Sequence, residues 1–155
     1  MRPKLIPATG VAWVAITLVL LGCGAFCAPA ADLKLQAFLL WGTDDSKPPE
    51  GKIYKPVEPD ILKKLKDLPL KWTNWFEVNR KAFAVSQGTT KEVSLSDKCQ
   101  VNVSKLSDQE MEVSLFGKGK EVAKQKQSLP KGDMLVLGGN APNSTAWLVV
   151  LKRID

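Results

Sequence analysis

Asp44 and Asp45 stand side by side, with Glu50 a short step further along the chain. Paired carboxylates can divide general acid and general base work when their surroundings drive their proton affinities apart. Neighbours in one polar loop share one environment, so this spacing does not assemble a hydrolase by itself. It also misses the D-x-D-x-D-G pattern of a calcium loop. The expectation is a solvated turn whose aspartates cap backbone amides. A small carboxylate-based hydrolase on Asp44, Asp45 and Glu50 stands as the enzymatic alternative.

The 155 residues include no histidine. Ser-His-Asp and Cys-His catalysis and imidazole-ligated zinc are therefore excluded. Cys99 alternates with Val101 and Val103, which places it on an apolar face. A thiol there packs as a small hydrophobe, and no activating base stands near it in the sequence. No catalytic residue, metal set or cofactor is expected, and the chain reads as a non-enzyme.

Binding chemistry has more candidates. Trp41, Trp72, Trp75 and Trp147 are many tryptophans for a domain of this size. Trp147 lies in the run WLVVL and is expected in a core. Trp72 and Trp75 precede a strand, where one is expected to pack under a helix and the other could stack on a sugar or anchor a partner. Lys118, Lys120, Lys124 and Lys126 share parity, so a regular strand projects them to one side. Their neighbours are polar, which predicts an edge strand or a projecting hairpin. Lysines on an edge block pairing with other chains. They could equally attract an anionic polymer, a lipid head group or an acidic protein face. Asn102-Val103-Ser104 and Asn143-Ser144-Thr145 match the N-glycosylation sequon.

The elements that must position these residues are mostly strands. Leu33–Trp41 is apolar with partial alternation, and Gly42–Lys55 is a Gly-, Pro- and Asp-rich loop. Residues 59–68 form the one helix: Ile61, Leu62, Leu65 and Leu68 share a stripe, Pro59 suits the first position, and Pro69 stops it. The period then changes to two. Trp75–Val85 is a strand with a bulge expected near Arg80-Lys81. Val93 and Leu95 mark a short strand. Cys99–Val103 and Met111–Leu115 form a hairpin with one buried face. Lys120–Gln127 and Met134–Leu137 follow. Trp147–Leu151 is apolar throughout, as in a strand covered on both faces. About eight strands and one short helix predict a mainly β domain, an antiparallel sandwich or small barrel.

The N-terminus reads as a leader. Arg2 and Lys4 precede the uncharged run Val11–Leu21, which is too short for a permanent bilayer span of about 20 residues. Ala28-Pro29-Ala30 predicts cleavage before Ala31, leaving residues 31–155 as a single all-β domain. Leu20-Leu21-Gly22-Cys23 offers a second route, a lipoprotein leader ending before a lipidated Cys23. Losing Arg2 and Lys4 lowers the net charge from +6 by two, to +4. That is ordinary solubilising charge and not the footprint of a nucleic-acid binder. Cleavage before Ala31 also leaves Cys99 alone, so no internal disulfide is expected.

Four stretches carry a resemblance: Leu70–Arg80, Leu115–Lys120 (LFGKGK), Leu135–Ala141 (LVLGGNA) and Ala146–Arg153 (AWLVVLKR). In these the chain resembles a group of small, signal-bearing bacterial envelope proteins. The resemblance implies export and a compact β domain, and it brings no site residue with it. The combined expectation is a non-catalytic binding or interaction module, periplasmic or extracellular. Its partner would be an envelope protein or an anionic polymer, with membrane attachment only through lipid at Cys23. A carbohydrate or anionic-glycan domain using Trp72, Trp75 and the lysine strand is the alternative.

Overall fold

Phe38 and Leu39 are neighbours, yet both are buried, and they serve two different cores. The same holds for Leu148 and Val149. These pairs lie on the two central strands, and the architecture follows from covering both of their faces. The computed structural model describes residues 30–140 and 145–155. The expectations for the leader, with Cys23 and Cys27, lie outside the described residues, as does most of the second sequon.

The elements in chain order are β1 (Leu33–Thr43), β2 (Lys55–Pro56), α1 (Pro59–Lys66), β3 (Asn74–Val85), β4 (Thr90–Ser94), β5 (Cys99–Lys105), β6 (Glu110–Gly117), β7 (Lys120–Ser128), β8 (Met134–Asn140) and β9 (Ala146–Arg153). Two antiparallel sheets form, with orders β2-β3-β1-β9-β8 and β4-β5-β6-β7. They face each other as a sandwich with no closed barrel. The described strands number nine against the expected eight or so, and the addition is the two-residue β2.

Between the sheets lies the larger core. β1 sends Leu35, Ala37 and Leu39 into it, and β9 sends Val149 and Leu151. β5 and β6 answer with period-two burial, Val101 opposite Leu115 and Val103 opposite Val113. Outside the five-stranded sheet, α1 docks on Phe38, Leu40, Leu148 and Val150 through Ile61 and Leu65. The expected double coverage of WLVVL is therefore supplied by the second sheet on one face and α1 on the other. The helix ends at Lys66, two residues before the expected stop. The amides of Asp67 and Leu68 reach the carbonyls of Lys64 and Leu65, three residues back, at 3.3 and 3.2 Å. That tighter final turn closes the helix before Pro69.

The bulge in β3 falls at Val78 and not at Arg80-Lys81. Leu39 pairs with Asn79 while Leu40 pairs with Glu77, leaving Val78 as the extra residue. The displaced parity sends Asn79 between the sheets, where its amide donates to the Leu95 carbonyl at 2.7 Å. It sends Glu77 to the helix side, where Arg80 grips both carboxylate oxygens at 2.7 and 2.6 Å. Arg80 also donates to Glu58, at the start of α1, at 2.7 Å. Lys152 of β9 bonds Glu58 at 3.4 Å and also bonds Asp60. This chain of charges ties the helix N-terminus to three positions on the sheet below it.

At the far end of β9, Arg153 is nearly enclosed. It donates to the carbonyls of Leu129 and Asp108 and bonds both oxygens of Asp155. The guanidinium holds the Asp155 carboxyl below the ordinary aspartate range. This end of the sandwich is closed by that cluster.

Gly42 shows how tightly the helix side is packed. A Cβ there would lie 2.4 Å from the Trp75 ring. Gly42→Val should therefore push Trp75 off the sheet and cost about 1–3 kcal/mol, the usual penalty for overpacking. Urea unfolding followed by tryptophan fluorescence measures both effects, and an unchanged midpoint and emission maximum would show that the ring is not held there.

Candidate intersheet cleft

At the other end of the sandwich the sheets part. The opening is a cleft of about 680 Å³. Leu39 and Trp41 of β1, Val78 of β3 and Trp147 of β9 line it from the five-stranded sheet. Cys99, Gly117 and Val122 line it from the four-stranded sheet. Its rim carries Lys52, Asp97, Lys98 and Lys118.

Local chain geometry makes this opening. Gly117 pairs with Cys99, and a Cβ on it would lie 3.3 Å from Trp147 Cζ2. A side chain at this position would crowd the Trp147 indole, which would have to shift slightly. Lys118 and Gly119 then turn the chain with φ of 51° and 76°. Positive φ at both positions is what a two-residue type I′ hairpin turn requires. Lysine in that conformation costs roughly 1–2 kcal/mol where glycine or asparagine would not. The Lys118 amide bonds the Lys98 carbonyl at 2.8 Å, which fixes the two rim lysines beside each other. On the opposite side the loop 44–54 brings Lys52 and Tyr54 to the mouth, with Trp41 between Tyr54 and Phe76 at ring distances of 6.1 Å.

The rim is basic and its lysines are uncommitted. Ion pairs among the described residues engage Lys64, Lys105, Lys124, Lys126 and Lys152, and none of Lys52, Lys98 or Lys118. Three lysines against the single Asp97 leave a net positive mouth over an apolar interior. The uncharged polar side chains of the cleft are Ser96, Cys99, Tyr54 and the indole N–H groups of Trp41 and Trp147. Ser96 Oγ already accepts the Lys98 amide at 3.2 Å. Burial pushes the Cys99 thiol up to about 11, which disfavours the thiolate at neutral pH.

The residues singled out by sequence are distributed differently. Trp72 and Trp75 meet edge to face at 6.1 Å and 76°, beside Leu62, Leu65 and Leu70 under α1. Both belong to the helix side of the five-stranded sheet. The lysine strand β7 is the edge of the other sheet, as expected from its polar faces. Trp72, Trp75 and the lysines are therefore not brought into one site. Nor do the four lysines form one row. Leu115 pairs with Ala123 but Phe116 pairs with Glu121, so a bulge at Val122 breaks the parity. Lys124 and Lys126 flank Glu112 on the outer face, at 3.2 and 3.7 Å. Lys120 lies opposite Gly117, and Lys118 joins the cleft.

Asp44 and Asp45 act in a turn. Asp44 accepts the Thr73 amide at 3.3 Å, and the Asp45 carbonyl accepts the Asn74 side chain at 3.0 Å. Glu50 is exposed on the same loop. Among the described residues, no group of three or more His, Cys, Asp or Glu could hold a metal ion.

Sequence reasoning did not find Lys52, Tyr54, Val78 or Lys98 as site residues. They are remote from one another in the chain, and no spacing signals that the loop, the β3 bulge and the β4–β5 turn meet. Gly117-Lys118-Gly119 is a local signal, since two glycines around a lysine mark a turn, while the positive φ of that lysine shows only in the structure. The chain matches no protein-family model, and neither a curated protein nor a solved structure is significantly similar to it.

Proposed function

We propose that this protein is an exported, non-catalytic binding module of the bacterial cell envelope, and that its ligand enters the intersheet cleft. The observation that carries the reading is the cleft itself: about 680 Å³ of largely apolar space with lysines at its mouth. Small-molecule sites have this character, a concave apolar interior of about 300–1,000 Å³ with a few polar groups at fixed places. The strained φ of Lys118 supports it, because backbone strain persists where surrounding structure holds it and gathers at binding sites. Export is supported by the basic N-terminus, the short apolar run and the small residues that follow. The absence of any histidine and the protonated Cys99 favour binding over catalysis.

Anilinonaphthalene sulfonate tests the site, because its fluorescence rises on entering apolar surroundings. The expected result is saturable binding of one dye per chain. Val122→Glu should weaken it tenfold or more without unfolding the domain, since Val122 is half exposed on the cleft wall. Equal dye binding by the wild type and the folded variant, or none by the wild type, would overturn the reading.

A further inference from the structure

The cleft separates two chemistries along its depth. The interior is aliphatic and aromatic: Leu39, Val78 and Val122 with Trp41 and Trp147. Charge is confined to the rim, and three of the four charged groups are lysines. Ile53, between the rim residues Lys52 and Tyr54 in the chain, is 99% exposed.

Resting on the cleft as the ligand site, we infer that its occupant is a single alkyl chain ending in a carboxylate. The interior rewards methylene groups along Leu39, Val78, Val122 and the faces of Trp41 and Trp147. A sugar needs convergent donors and acceptors along its length. The uncharged side-chain donors here are the Ser96 and Tyr54 hydroxyls, the indole N–H groups of Trp41 and Trp147 and the weak Cys99 thiol, and Leu39, Val78 and Val122 between them offer only apolar contact. The head group is anionic because the uncommitted charge at the mouth is positive. Among the described residues no arginine lines the cleft, so the planar fork that clamps a phosphate with two parallel bonds is missing there. Lysine ammonium groups act as compact point charges that a carboxylate can approach from several directions. The volume suits one small molecule and not a polymer.

Displacement of anilinonaphthalene sulfonate by alkyl compounds below their micellar concentrations tests this. Octanoate, decanoate and dodecanoate should tighten in order, by about fourfold per added methylene, which corresponds to about 0.8 kcal/mol each. Decanoate should displace the dye at a tenfold lower concentration than decanol, and decyltrimethylammonium should be weaker than both. The triple variant Lys52→Gln, Lys98→Gln, Lys118→Gln should abolish the preference for decanoate over decanol while leaving decanol unchanged. Raising the salt from 0.1 to 1 M should narrow the same preference, because the screening length falls from about 10 to about 3 Å. Dye that binds the wild type but is displaced equally by decanoate and decanol, or without dependence on chain length, would overturn the inference and leave the cleft as a site. Dye displaced by a sulfated polysaccharide and by no alkyl compound would also overturn it. Failure of the dye to bind would instead remove the reading on which it rests.

Discussion

Arg80→Met should lower the stability of the domain by about 2–3 kcal/mol at neutral pH, because it leaves the buried Glu77 carboxylate without its partner, a cost reduced by the partial exposure of Arg80 itself. The Glu77 side chain is 2% exposed, and Arg80 holds both of its carboxylate oxygens. Hydrogen bonding to Glu77 is also the main reason that the Arg80 guanidinium is held even more firmly protonated than usual. Without Arg80 the carboxylate would be left in a low-polarity space against Leu40. The guanidinium also lies 4.7 Å from the centre of the Phe38 ring, so its plane contributes packing as well as charge. The double variant Glu77→Leu, Arg80→Met should recover most of the loss. An apolar pair of similar volume often replaces a buried ion pair at little cost. Chemical denaturation of the single and double variants measures this. A single variant within 1 kcal/mol of wild type would show that water reaches Glu77 readily.

Leu65→Asp should destabilise by about 3 kcal/mol or more, because a carboxylate would enter an apolar contact with no partner. Leu65 is 3% exposed and packs with Ile61 onto Phe38, Leu40, Leu148 and Val150. The helix has only eight residues and no side-chain cap on its first turn. A helix so short is held by its apolar face and by the Glu58 and Asp60 links, not by its own propensity. The variant should therefore lose helical signal together with stability, and expose Trp75 to solvent. A melting temperature equal to wild type would show that α1 lies free of the sheet.

These two sites differ in how readable they were. The Ile61/Leu65 stripe could be read from the chain, since its neighbours share one stretch of sequence and one period. Glu77 and Arg80 could not, because their meeting depends on the bulge at Val78. One extra residue in a strand reverses which side chains face the core, and the alternation around Arg80-Lys81 located that reversal two residues too late. The same physics undid the lysine row. Parity alone aligned Lys118, Lys120, Lys124 and Lys126, and a bulge at Val122 separates Lys124 and Lys126, on the outer face, from Lys120 and from Lys118, which lines the cleft.

By itself the sequence determined what local chemistry controls. The alternation of Val101, Val103, Val113 and Leu115 dictated a one-sided hairpin, and WLVVL dictated a strand buried on both faces. The polar strand at Lys120–Gln127 had to be an edge or a projecting hairpin, and the lack of histidine removed whole classes of catalysis. Tertiary structure decided which strands share a sheet, where the bulges fall and where the two sheets part. Those choices rest on contacts between segments far apart in the chain, and each depends on what the other segment presents. Lys52, Lys98 and Lys118 form one rim only because a loop, a turn and a hairpin close on the same end of the sandwich. No period or spacing along the chain carries that information, since the residues that define the cleft become neighbours only when the sheets have packed.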